Sequence, residues 1–170
     1  MKKLFREMIG ASRLDVNVYE QVEADRLGSV EAVLIVLIAS VAAALGSGIT
    51  DFPGIAGATL ALMASWMVWV GLAFVIGTRV LPAPGTHHTM GDMLRATGLS
   101  ASPGILRIFG MIPTIGWFIL LAVTVWMLCT FVLAVRQSLD YSGSGRALAV
   151  CSLTWLIHGL LFFAFVVAAV

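Results

Sequence analysis

Three stretches of this chain, Ile55–Ile76, Thr114–Val135 and Ala147–Val170, run for 22, 22 and 24 residues without an Asp, Glu, Lys or Arg. About 20 apolar residues in a helix cross the hydrocarbon of a bilayer. With no water there to take up N–H and C=O groups, such stretches have to be helical. A fourth stretch, Ser29–Leu45, is interrupted only by Glu31 near its start. Only 11% of all residues are charged and 60% are apolar, where a water-soluble domain carries about a quarter charged. One small core cannot hide that excess, so lipid is the solvent for most of the chain. The net charge of +1 and the lack of an aromatic-interleaved basic patch give no footing for nucleic acid.

Leu99–Ile112 is the awkward run, because 14 residues more often make a re-entrant or interfacial piece. Counting the amphipathic lead-in Met90–Thr97 allows a full crossing, bent at Pro103. The expected fold is therefore all-α: an integral membrane bundle of five transmembrane helices, the third short and proline-broken. A leader, residues 1–28, precedes the membrane domain, residues 29–170. No cleavable signal is expected, since the apolar stretch starts only near Val30 behind a charged leader.

Cationic residues orient such a bundle, because Lys and Arg collect in cytoplasmic loops. Lys2, Lys3, Arg6, Arg13 and Arg26 lie in the leader, Arg79 and Arg95 flank the second loop, and Arg136 and Arg146 flank the fourth. The opposite loops, Gly46–Gly54 and Gly110–Pro113, hold no Lys or Arg. Five crossings then put the N-terminus in the cytoplasm and the C-terminus outside. The exception is Arg107, which lies roughly 18 Å of helix beyond Arg95 at 1.5 Å per residue. That is the outer half of the membrane, a turn short of Pro113. Three readings stay open for it: snorkelling to outer headgroups or proline-freed carbonyls, pairing with Asp51 inside the bundle, or binding a solute.

In the leader, Leu4, Phe5, Met8 and Ile9 recur at helical spacing opposite Lys and Arg, which reads as a short helix on an anionic inner leaflet. Asp15 is a candidate N-cap for a second, acidic helix read as a solvated joint to the first span. Pro82, Pro84 and Gly85 end the second span, and Thr89 with Asp92 forms a capping-box pattern for a restart. His87 and His88 tempt a metal reading, but adjacent residues do not share a helix face and no third ligand stands at a useful spacing. No metal or cofactor is expected. Arg136 and Asp140, at i and i+4, are placed to pair at a helix end. Cys129 and Cys151 lack a CxxC partner and read as small hydrophobes. Small residues four apart, such as Ala39 and Ala43, let helices approach closely, within the chain or in a homo-oligomer.

His158 falls near the bilayer centre, roughly 18 Å from Arg146, with Thr124 at similar depth. An ionisable side chain there marks a functional site by default. The alternative is a neutral imidazole bonded to a threonine hydroxyl or a carbonyl. Arg107, His158, Thr124 and Asp51 are thus the candidate intramembrane polar site. Catalytic constellations are missing: there is no mid-membrane carboxylate, GxSxG, HExxH or phosphate-binding glycine loop. The expectation is a protein that is not an enzyme.

Ser102-Pro103-Gly104-Ile105-Leu106 opens the third span and Ile112-Pro113-Thr114-Ile115-Gly116 the fourth. Ala134-Val135-Arg136-Gln137-Ser138-Leu139 closes the fourth, and Arg146-Ala147-Leu148-Ala149-Val150 starts the fifth. In order and spacing these motifs resemble the YIP family, five-span membrane proteins named for interaction with Ypt/Rab GTPases. The resemblance points to Pro103, Pro113, Arg136 and Arg146 as structural residues. With its short leader the chain is similar to the bacterial members, which implies a place in the bacterial inner membrane. The reading is a non-enzymatic organising factor whose partners are the lipid bilayer and other membrane proteins. Its rival is a small channel or carrier that uses the polar residues inside the bundle.

Overall fold

A computed structural model describes residues 2–24, 28–83 and 89–168, and among these every regular element is helical. The leader forms α1 (Lys2–Ser12) and α2 (Val16–Ala24). Then come α3 (Gly28–Gly46), α4 (Phe52–Val75) with a π-helical turn at Ile76–Val80, and α5 (Met90–Ser100). A 3-10 helix follows at Ser102–Met111, then α6 (Gly116–Ser138) and α7 (Ser144–Ala168). Four helical segments are long and apolar enough to cross a membrane: Gly28–Gly46, Phe52–Val80, Gly116–Ser138 and Ser144–Leu161.

The remaining stretch changes helix type where Pro103 stands. The capping box of Thr89 and Asp92 starts α5. The backbone turns 3-10 as Pro103 removes a donor in the first turn of the new helix. Together, α5 and the 3-10 helix run alongside α3 for its whole length, which small residues make feasible. A Cβ built on Gly98 would stand 2.5 Å from Ala32 Cβ, and one on Gly46 would overlap the Arg107 carbonyl. This composite element packs between α3 and α6 and forms the spine of the bundle.

The leader is part of the packing. Asp15 Oδ1 accepts from the backbone N–H of Asn17 at 3.1 Å and so starts α2, after a tight turn with Leu14 at φ 61°. The α1–α2 hairpin docks on α5, the 3-10 helix and α6. Tyr19 and Val22 share one core with Ile35, Ala96 and Ala134, and Leu4 and Met8 pack against it. Trp126 Nε1 donates to the Ser12 carbonyl at 2.8 Å, so the hairpin tip lies halfway along α6. The expected solvated joint is corrected accordingly, since α2 buries Tyr19 and Val22. In α1, Leu4 and Met8 meet protein while Phe5 and Ile9 remain outward.

Lys3 Nζ stands 3.5 Å from carboxylate oxygens of both Glu7 and Glu31. Burial, and after it the charge of Glu31, holds the Glu7 carboxyl above the 4.5 of a free glutamate. The docked leader therefore binds that proton more tightly than the released one. Docking is strongest below pH 4.5 and weakens as pH rises through the raised value. A spin label at Ile9→Cys is expected to gain mobility over that rise, and Glu7→Gln is expected to flatten the profile.

Candidate functional site

At the ends nearest the α6–α7 loop, α4, α6 and α7 close on a tight core that includes Val70, Ala73, Val135, Leu139 and Val150. The Tyr141 hydroxyl, whose pKa burial raises, donates to the Leu81 carbonyl at 2.7 Å and ties the π-helical turn to the α6–α7 loop. Further along, the α4 and α6 backbones stand apart, bridged by the edge contact of Trp69 with Phe131 at 4.9 Å. Between them opens a cleft of about 380 Å³, backed by Ser40 and Ala43 of α3 and by Thr97 and Ser100 of α5. Its aromatic walls are Trp66 and Trp69 of α4, Phe131 of α6 and Trp155 of α7. The lining residues Leu62, Thr124, Leu128 and Trp155 are exposed and lie well inside their helices, so the cleft opens sideways.

Arg107 reaches this cleft from the 3-10 helix. Its Nη2 donates to Thr124 Oγ1 at 3.3 Å, while that hydroxyl donates to the Leu120 carbonyl at 2.7 Å. Thr124 lies eight residues, about 12 Å of helix, past the start of α6, so the guanidinium is turned inward. Pairing with Asp51 is not what the geometry shows. Asp51 caps α4, accepting from the Gly54 N–H at 2.8 Å, and among the described residues it forms no ion pair with Arg107.

His158 attaches to the same cleft from behind its wall. Its Nε2 is 3.1 Å from Ser65 Oγ, a lining hydroxyl, and Trp69 meets its ring edge-on at 6.1 Å. The bond partner is thus a serine on α4 and not a threonine. Thr154, one turn earlier, is fully buried with its Oγ1 unpartnered. Of the candidate residues, the structure brings Arg107 and Thr124 together, sets His158 one hydroxyl away from their cleft, and leaves Asp51 outside it. Ser40, Ser65 and Trp66 are among the lining residues that sequence reasoning missed; for the two serines the available signal was a hydroxyl in the middle of a span.

The structural residues divide as well. Pro103 is buried at the start of the 3-10 helix, whereas Pro113 is exposed in a turn and Arg146 is exposed at the start of α7. Arg136 does not pair with Asp140. Its Nε donates to the Tyr141 carbonyl at 3.3 Å, because Asp140, at φ 46°, has already left the helix. Cys129 and Cys151 are free, and His87 and His88 lie outside the described residues.

The Yip1 domain matches residues 18–166, nearly the whole bundle. The chain belongs to the Yip1 domain family. The match begins inside α2, so this Yip1 domain takes in part of the leader as well as the apolar helices. With four helices long and apolar enough to span, the Yip1 chain is a multi-pass integral membrane protein. Neither a curated protein nor a solved structure matches it.

Proposed function

We propose that this Yip1 protein is a non-enzymatic organising factor of the bacterial inner membrane, binding other membrane components through its bundle. In this reading α5 and the 3-10 helix make the fifth crossing, with the N-terminus cytoplasmic and the C-terminus outside. The observation that carries it is the shape of the polar interior. The cleft opens toward the bilayer and ends against the inner core of Val70, Val135 and Val150, as a binding site does and a conducting path does not.

Photo-crosslinkers in the leader and in the Pro82–Thr89 loop, used in intact membranes, are expected to capture a small, reproducible set of membrane components. Monodisperse protein with nothing enriched on it would overturn the proposal.

A carrier is the second reading. One observation favours it: Arg107, Thr124 and the Ser65–His158 pair meet in one cleft beside a broken helix. It requires a change in solute flux or proton leak in liposomes for Arg107→Ala or His158→Ala. Unchanged flux in both removes it.

A further inference from the structure

We propose that the cleft between α4 and α6 holds an anionic amphiphile drawn sideways from the bilayer, its acid group on Arg107. This rests on the reading of the protein as a binding protein, and it names the ligand.

The argument starts from charge. Arginine keeps its proton and offers five N–H donors in a planar fork. At Arg107 the only bond described is one to a neutral hydroxyl, Thr124. Asp51 is spent on its cap. An intramembrane cation without a counter-charge is costly, and such residues pair with an anion or face a wet cavity.

The hydroxyls around the cleft sharpen the preference. Thr97, Ser100 and Thr124 donate their protons to carbonyls of their own helices, and Ser65 is engaged with His158. With those protons spent, the donors the cleft offers an incoming group are those of the Arg107 guanidinium, and no carboxylate lines it to compete, which suits a carboxylate or phosphate oxygen on Arg107.

Its apolar part fits a chain. Trp66, Met127 and Phe131 line it, and the exposed Leu62 and Leu128 flank a mouth facing the hydrocarbon. A volume of about 380 Å³ lies in the range of small-molecule sites. An occupant entering through that mouth comes from lipid, with its head turned toward Arg107.

The test reconstitutes the full chain in phosphatidylcholine vesicles, alone or doped with phosphatidylglycerol or with oleate. A further arm uses phosphatidylcholine plus inorganic phosphate. After detergent extraction, mass spectrometry counts what remains bound. Wild-type protein is expected to retain phosphatidylglycerol or oleate about tenfold over phosphatidylcholine, as one charge-assisted contact gives. Arg107→Gln is expected to abolish that preference and Arg107→Lys to keep part of it.

Leu128→Trp, which narrows the mouth and leaves Arg107 in place, is expected to lower retention too. It serves as the second measurement if Arg107→Gln fails to fold. Equal retention of charged and zwitterionic lipid by wild type overturns the proposal. So does undiminished selectivity in Arg107→Gln or undiminished retention in Leu128→Trp, and so does displacement of the lipid by inorganic phosphate, which marks a free-anion site. Crosslinking run on the same samples separates the two readings. Wild-type protein that retains the lipid but captures no partner removes only the organising function. Captured partners without lipid selectivity remove only the amphiphile.

Discussion

Gly98→Ala is expected to destabilise the bundle by about 1–3 kcal/mol, the usual cost of forcing a methyl group into a filled contact. Gly57→Ala is expected to leave it unchanged or more stable by up to about 1 kcal/mol, the helix-propensity gain. The chemistry of the two substitutions is the same, and their surroundings differ. A Cβ at Gly98 meets Ala32 Cβ at 2.5 Å and the Ala32 backbone at 3.0 Å, atoms that cannot swing aside. A Cβ at Gly57 meets nothing within 4 Å. Because Gly98 lies where the spine enters against α3, the strain is felt by both elements. Thermal unfolding in detergent, followed by loss of the monodisperse peak, measures the difference. Ala32→Gly added to Gly98→Ala is expected to restore part of the stability, since it removes the nearer of the two obstacles. A Gly98→Ala protein as stable as wild type would mean that α5 does not pack on α3 this closely.

What was legible in the sequence was whatever one helix decides alone. The long apolar runs became α3, α4, α6 and α7 because hydrocarbon length and backbone hydrogen bonding leave no alternative. Thr89 and Asp92 formed their box because both partners lie within one turn. Illegible features needed a second element. The apolar side of α1 was readable, yet periodicity does not say whether lipid or protein covers it, and here Leu4 and Met8 meet protein.

Ser65 is one hydroxyl in a run of 22 residues, and only the approach of α7 turns it into the partner of His158. Arg136 and Asp140 keep i, i+4 spacing, but that rule holds only while both are helical, and Asp140 is not. For Arg107, depth was counted at the α-helical rise, whereas ten residues of 3-10 helix advance about 2.0 Å each. Its Cα therefore sits beside Gly46 at the far end of α3, and the side chain has to turn back to reach Thr124. Where a bend at Pro103 was expected, the structure has a change of helix type, from α to 3-10.

Threading is an all-or-none prediction. In a Cys129→Ala background, Ser47→Cys and Ser142→Cys are expected to react with a membrane-impermeant maleimide from opposite sides of sealed vesicles. Both side chains are exposed, and serine to cysteine changes little else. Ser47 lies at the end of α3 that carries no Lys or Arg, and Ser142 between Arg136 and Arg146. The positive-inside bias therefore sends them to opposite compartments. Met111→Cys extends the test to the composite third segment. Its 3-10 helix ends beside Gly46, so Met111→Cys labels with Ser47→Cys if α5 and the 3-10 helix cross the membrane together. Gly91→Cys, at the capped start of α5, then labels with Ser142→Cys. Should Met111 and Gly91 report one compartment, the spine is a re-entrant hairpin and the bundle has four crossings. Should Ser47 and Ser142 do so, the cationic residues do not set the threading, and the expected place of Arg107 in the outer half of the membrane falls with them.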